Sequence, residues 1–203
     1  MKNLLSLILA LSLLCLPALS ACGEDGAGKE SEANFPDVNT KTAISEIMQK
    51  TLDSAGEDVF VPKTFDDEVT VAKCQDTLGL TPEQFEQYVS EAYSSVAAIT
   101  NQAFLVGLVK CKDAKAAAEV KKLIAENFNH NRWICVLPEQ CFAVEAGNFV
   151  LLGAVYDNVA EILQNSFSEQ FEGKAGTVNK FYERGEDEPE GGGNGFAGGL
   201  PLG

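Results

Sequence analysis

The sequence predicts an α+β fold: a small antiparallel or mixed sheet of about three strands, with helices packed on one face. The main observation is a repeated order at 103–128 and 148–171, in which an apolar run ending in charge or amide is followed by a helical pattern. Each repeat is typical of one strand–helix unit. The extended segment Ser90–Ile99 precedes the first unit and supplies a third strand. We therefore expect a fold built around two strand–helix units that share one sheet.

Two helices are predicted before the strands. Residues 42–55 carry apolar side chains at helical spacing, namely Ile44, Ile47, Met48 and Leu52. A second helix begins at Pro82, because Thr81 is a good N-cap, proline is tolerated at the first helical position and Gln84 completes a capping box.

The two strand–helix units also carry signals for helix starts and strand packing. Asp113 stands at the N-cap position of the first helix, and Asp157 or Asn158 stands at that of the second. Each apolar run contains a glycine, Gly107 or Gly153, which indicates close packing against a helix or a β-bulge.

The amino terminus has the layout of a bacterial export signal. Lys2 precedes an apolar run at 4–16, and Pro17 interrupts that run before it reaches the roughly 20 residues that a spanning helix needs. The residues that follow are similar to the lipobox of bacterial lipoprotein precursors: Leu19, Ser20, Ala21 and Cys22. This resemblance implies cleavage before Cys22 and a lipid on its thiol. The alternative is ordinary cleavage after Ser20 and release of the protein.

These features divide the chain into four parts. Residues 1–21 form the lipoprotein signal peptide, and the polar segment 22–40 forms a flexible tether. Residues 41–173 form a single α+β domain. Residues 174–203, acidic and then rich in glycine, form a disordered tail.

Four of the six cysteines lie in the predicted mature domain: Cys74, Cys111, Cys135 and Cys141. Export permits disulfides, and the pairing we favour joins Cys135 to Cys141 and Cys74 to Cys111. The alternative is four free thiols that pack as small apolar side chains.

The formal net charge of −15 excludes nucleic acid as a partner, because an acidic surface repels the phosphate backbone. The partners that remain are the membrane, reached through the N-terminal lipid, and an envelope protein or ligand that the sequence does not identify.

No catalytic or metal-binding constellation is recognisable, so we predict no cofactor. His130 is the only histidine, and the sequence lacks both a G-x-S-x-G nucleophile motif and closely spaced cysteine pairs. We interpret His130 as a polar residue at a helix end. The acidic runs at 65–68 and 185–190 lack calcium-loop spacing. Four aromatic residues could line a groove but favour the core, namely Phe128, Trp133, Phe142 and Phe149.

Four segments in order resemble the domain-of-unknown-function family 4358, found in lipoproteins of low-GC Gram-positive bacteria. They read "LGLTPEQFEQY", "AFLVGLVKCKDAKAAAEVKKLI", "LPEQ" and "GNFVLLGAVYDNVAEI". The resemblance covers roughly Ile44 to Phe171 and implies a lipidated envelope domain, without implying a biochemical activity. The four mature cysteines are not part of the resemblance.

The sequence thus favours a lipid-anchored extracytoplasmic protein that is a binding or envelope-associated module and not an enzyme. One alternative is a small thiol-redox or hydrolytic enzyme that uses Cys135, Cys141 or His130. A further alternative is an accessory lipoprotein of a transport system.

Overall fold

The computed structural model describes residues 38–99, 101–133 and 135–185. The predicted signal peptide, the lipobox with Cys22, most of the tether and residues 186–203 of the tail lie outside the described residues.

One antiparallel sheet of six strands forms the middle of the domain, in the order β1-β2-β3-β5-β4-β6. Five helices flank it. In chain order the elements are α1 (Thr40–Ser54), β1 (Thr64–Glu68), α2 (Cys74–Leu78), α3 (Pro82–Tyr88), β2 (Val89–Ala97), β3 (Leu105–Cys111), α4 (Ala114–Asn127), β4 (Gln140–Ala146), β5 (Phe149–Val155), α5 (Asp157–Gln170) and β6 (Asn179–Glu183).

The prediction of about three strands with helices on one face is wrong. The sheet has six strands, and helices cover both of its faces. Along β3, Leu105 and Val109 pack into one core cluster, whereas Val106 and Leu108 pack into the other. Successive side chains of a strand point to opposite faces, so an unbroken apolar run indicates a strand buried on both sides.

We call one side of the sheet the aromatic face. It is covered by α1 and α5 and contains five fully buried phenylalanines: Phe104, Phe142, Phe149, Phe167 and Phe171. We call the other side the thiol face. It is covered by α2, α3 and α4 and contains three buried cysteines: Cys74, Cys111 and Cys141.

Three strands had no counterpart in the predicted sheet. The edge strand β1 is mostly exposed and acidic, so it has no apolar pattern to recognise. The edge strand β6 lies within the segment assigned to the tail. Strand β4 lies in the segment interpreted as a connection, and a two-residue turn joins it to β5. Gly147 has a φ of 59° in that turn, which is typical of a tight hairpin.

The helix predictions are confirmed at two starts, those of α3 and α4, and corrected at two positions. Helix α1 covers the predicted segment, but Leu52, expected in the core, is exposed. The Thr81–Gln84 capping box is present, and Asp113 caps α4 through a 2.7 Å bond from the Ala116 N–H to its Oδ1.

Neither Asp157 nor Asn158 is the N-cap of α5, which is Tyr156. Glu139 from the loop before β4 takes over that role, because its Oε2 accepts the Asp157 N–H at 2.9 Å.

Both strand glycines mark close packing, and neither is at a bulge. A Cβ on Gly107 would lie 3.0 Å from Leu78 Cδ2 of α2. A Cβ on Gly153 would lie 2.4 Å from the ring of Phe142, its neighbour on β4.

Candidate ligand groove

A groove of about 440 Å³ lies at the edge of the thiol face, where the β2–β3 loop meets the α4–β4 loop. We call it the Arg132 groove. Its lining residues are Val96, Ala97, Ile99, Asn101, Gln102, Arg132, Trp133 and Cys135.

Backbone hydrogen bonds shape the first wall. The Ala97 N–H donates to Phe104 O at 3.1 Å and closes the loop, while the Gln102 N–H donates to Ile99 O at 3.2 Å. The side chain of Ile99 is held outward and is 58% exposed. An exposed isoleucine beside a concavity adds apolar surface that a ligand could cover.

The second wall follows the end of α4. The Arg132 N–H donates to Asn129 O at 3.3 Å, and the Asn131 N–H donates to Asn129 Oδ1 at 3.0 Å, so the chain turns tightly there. Just before this turn, Gly79 packs against the backbone of the last residues of α4. It has a φ of 75°, and a Cβ there would lie 2.6 Å from the backbone nitrogen of Phe128. Only glycine combines that conformation with so close an approach.

Arg132 is the charged group of the groove. Its Cζ lies 5.5 Å from the centroid of the Trp133 ring, within the range of a cation–π interaction. Its Nη1 is buried and has no hydrogen-bond partner among the described residues. Burial lowers the pKa of Arg132, and the charge of Asp76 partly opposes this shift. A buried donor without a partner costs free energy that a bound acceptor would recover.

Trp133 forms the apolar floor together with Val96, and both side chains pack against the core of the thiol face. Trp133 is the only tryptophan of the chain. Its fluorescence therefore reports on this groove alone.

The four cysteines that the sequence singled out are free thiols in the structure, three buried and Cys135 exposed in the groove. Burial raises the pKa of Cys111 and that of Cys141 to about 12. The pKa of Cys74 is also raised, chiefly by burial, and its Sγ donates to Val71 O and Leu80 O. The pairings inferred from the sequence stay a prediction.

His130 stacks on Tyr182 of β6, with ring centroids 4.1 Å apart, and its Nε2 lies 3.1 Å from Asn131 Nδ2. It lies beyond Phe128, the C-cap of α4, and does not line the Arg132 groove. Within the ranges described, no three His, Cys, Asp or Glu residues cluster so as to hold a metal ion. Among those same residues, no helix is both long and apolar enough to cross a membrane.

Most of this groove has no signal in the sequence. Trp133 was expected in the core, and Cys135 was expected to be either a disulfide partner or a free thiol. Arg132 was the available signal, since the chain has only two arginines and one of them directly precedes the only tryptophan. The approach of Ile99 to this pair depends on the fold and has no local pattern.

Comparisons with protein-family models, curated proteins and solved structures found no match to this chain. The resemblance to family 4358 therefore depends on the quoted segments alone.

Proposed function

We propose that the chain is a lipid-anchored extracytoplasmic protein whose domain binds a ligand in the Arg132 groove and does not transform it chemically. The observation that carries the binding role is the guanidinium of Arg132, which lies in a groove with apolar walls and whose buried Nη1 has no hydrogen-bond partner among the residues that the structure describes. Small-molecule sites combine such apolar walls with a few oriented polar groups.

The state of the thiols supports binding over catalysis. Cys111 and Cys141 hold their protons at neutral pH because their pKa values are raised to about 12, and a thiol is a poor nucleophile compared with a thiolate. The exposed Cys135 thus has no activated partner among these buried thiols. This weakens the thiol-redox alternative, which needs two reactive sulfurs.

The anchor is proposed from the order of Leu19 to Cys22 after an apolar run. Two or more acyl chains hold a protein stably on a membrane. The proposed location is the outer side of the cell membrane, with residues 22–40 as the tether.

The anchor is tested by palmitate labelling and detergent phase partition of the chain expressed in a bacterium. We expect Cys22→Ser to abolish labelling and move the protein to the aqueous phase, and globomycin to block processing. Cys15→Ser, inside the signal peptide, is the matched control and should change neither readout. Unchanged labelling of Cys22→Ser would disprove the anchor.

The binding role is tested with the fluorescent apolar anion 8-anilinonaphthalene-1-sulfonate on the mature polypeptide, residues 22–203, made without lipid. We expect Ile99→Asp to weaken dye binding about tenfold, because it places a charge in an apolar wall. Leu52→Asp is the control, since Leu52 is about as exposed as Ile99 but lies outside this groove. Equal dye binding by all three proteins would disprove the assignment of binding to this groove.

A further inference from the structure

The Arg132 groove combines one cation with apolar walls, and this combination limits the charge and shape of its ligand. We propose that it binds a small monocarboxylate with an apolar group, the carboxylate on the guanidinium of Arg132 and the apolar group between Ile99 and Trp133. This inference deepens the proposed binding function and rests on it.

The charge of the ligand follows from the guanidinium. Arg132 forms no salt bridge with any carboxylate of the described residues, and Asp76 acts on it only electrostatically. A carboxylate can accept two parallel hydrogen bonds from one guanidinium. Arg132 is the only basic residue among the described residues of the lining, and the chain carries a net charge of −15. The guanidinium therefore neutralises one negative charge of a ligand. The second charge of a dianion would stay unpaired and would be repelled by the acidic protein.

The apolar part of the ligand follows from the walls. Val96 and Trp133, which form the floor, pack against the core and are partly buried, whereas Ile99 of the first wall remains 58% exposed. An apolar group placed between Ile99 and the floor would remove the surface of both from water, which is favourable. Asn101 and Gln102 add neutral hydrogen-bonding groups to the lining.

The size of the groove indicates a small molecule. Its volume of about 440 Å³ lies toward the lower end of the range for ligand sites, roughly 300–1,000 Å³. The carboxylate could belong to a fatty acid or to the free carboxyl group of an amino-acid derivative. Both sources present the same chemistry to Arg132.

The experiment follows Trp133 fluorescence of residues 22–203 during titration with 4-phenylbutyrate. We expect a saturable change, and about tenfold weaker binding of the neutral analogue 4-phenylbutyramide because it lacks the charge. Inorganic phosphate should bind more weakly than 4-phenylbutyrate. Octanoate represents the fatty acids, and N-acetyl-leucine represents the amino-acid derivatives. The compound that binds more tightly identifies the source of the carboxylate.

Three variants test the role of the guanidinium. Arg132→Gln should weaken the binding of 4-phenylbutyrate at least about tenfold. Arg132→Lys should cause an intermediate loss of affinity, because lysine keeps the charge but lacks the planar array of guanidinium donors. Arg184→Gln is the matched control. Arg184, the other arginine of the chain, lies outside the groove and binds Glu139 Oε1 at 3.0 Å. Its substitution should leave the affinity for 4-phenylbutyrate unchanged. Circular dichroism checks that each variant is folded.

The outcomes separate this inference from the proposed function. Equal binding of 4-phenylbutyrate and its amide, or full affinity in folded Arg132→Gln, would overturn the carboxylate inference and leave a neutral binding groove. Tighter binding of phosphate would overturn it in favour of a multivalent anion. Absence of fluorescence change with every carboxylate would also overturn it, while the dye experiment with Ile99→Asp decides the binding function independently.

Discussion

The aromatic face and the thiol face cover the same strands with different side chains and different helices. On the aromatic face, the rings of Phe149 and Phe167 lie 4.8 and 4.9 Å from that of Phe171, under two helices of 15 and 14 residues. The thiol face packs smaller side chains under one helix of 14 residues and two of 5 and 7. Large rings under long helices bury more apolar area. We infer that the aromatic face contributes more of the stability, while the loops at the edge of the thiol face form the groove.

The largest expected effect comes from two neighbouring residues of β4 that point to opposite faces. Phe142→Ala should lower the free energy of unfolding by about 3–5 kcal/mol, because it leaves a cavity on the aromatic face. Cys141→Ala removes one buried atom on the thiol face and should cost about 1 kcal/mol. Urea denaturation measures both. Equal losses would contradict the inferred difference between the faces.

The strand glycines provide a second comparison between the faces. Gly153→Ala should cost about 1–3 kcal/mol, because the new Cβ would overlap the fully buried ring of Phe142. Gly107→Ala meets only the tip of Leu78 at 3.0 Å and should cost under about 1 kcal/mol. The double variant Gly153→Ala with Phe142→Leu checks the cause, because a smaller side chain should relieve part of the loss.

Alkaline pH should destabilise the protein through the thiol face. Cys111 and Cys141 have pKa values of about 12 in the folded state against an ordinary value of 9.0. The unfolded state therefore loses these protons first as the pH rises above 9. Stability is complete below pH 9 and falls between pH 9 and 12, by up to about 1.4 kcal/mol per pH unit for each thiol.

Urea denaturation at pH 8, 9 and 10 measures this slope. The double variant Cys111→Ala, Cys141→Ala should show a shallower decline than the wild type. Val109→Ala, on the same face, is the control and should lower stability at every pH without changing the slope. A wild-type slope in the double variant would rule out the thiols as its source.

Helix α4 of the thiol face is capped by its own Asp113, whereas α5 of the aromatic face is capped by Glu139 from outside the helix. Removing either cap should lower the free energy of unfolding by less than the core substitutions do. Asp113→Ala should cost about 1 kcal/mol, because it removes the side-chain cap of α4. Glu139→Ala should cost a similar amount, since Glu139 caps α5 from outside the helix and also binds Arg184. Asn158→Ala is the control. Asn158→Ala should lower the free energy of unfolding by well under about 1 kcal/mol if Tyr156 is the N-cap. A loss as large as that of Asp113→Ala would instead support Asn158 as the N-cap, as the sequence suggested.

Alkylation compares the accessibility of the exposed Cys135 with that of the three buried thiols, and it needs no substitution in the core. Iodoacetamide on the native, unreduced polypeptide lacking Cys22 should label the exposed Cys135 and spare the three buried thiols. Alkylation in urea without reductant should then add four groups in total, counted by mass spectrometry. Two groups, or none, would instead support the disulfide pairing inferred from the sequence.

Several elements were readable from the sequence because short-range interactions specify them. The capping box at Thr81 and the N-cap at Asp113 depend on residues three positions apart. The extended segment Ser90–Ile99 largely coincides with β2, which begins directly after α3 ends. The cap of α5 was not readable in this way, because Glu139 lies 18 positions before Asp157.

By itself, the sequence determined where α3 and α4 begin, which apolar runs become strands, the acidic charge of the chain and the export-like layout of its first residues. The tertiary structure alone decided the six-stranded order, the helices on both faces and the meeting of Ile99 with Arg132 and Trp133. The physical reason is the range of the interactions. Helix caps and periodicity act over one or two turns, whereas strand pairing and burial join segments far apart in the chain, whose positions depend on the whole core packing at once.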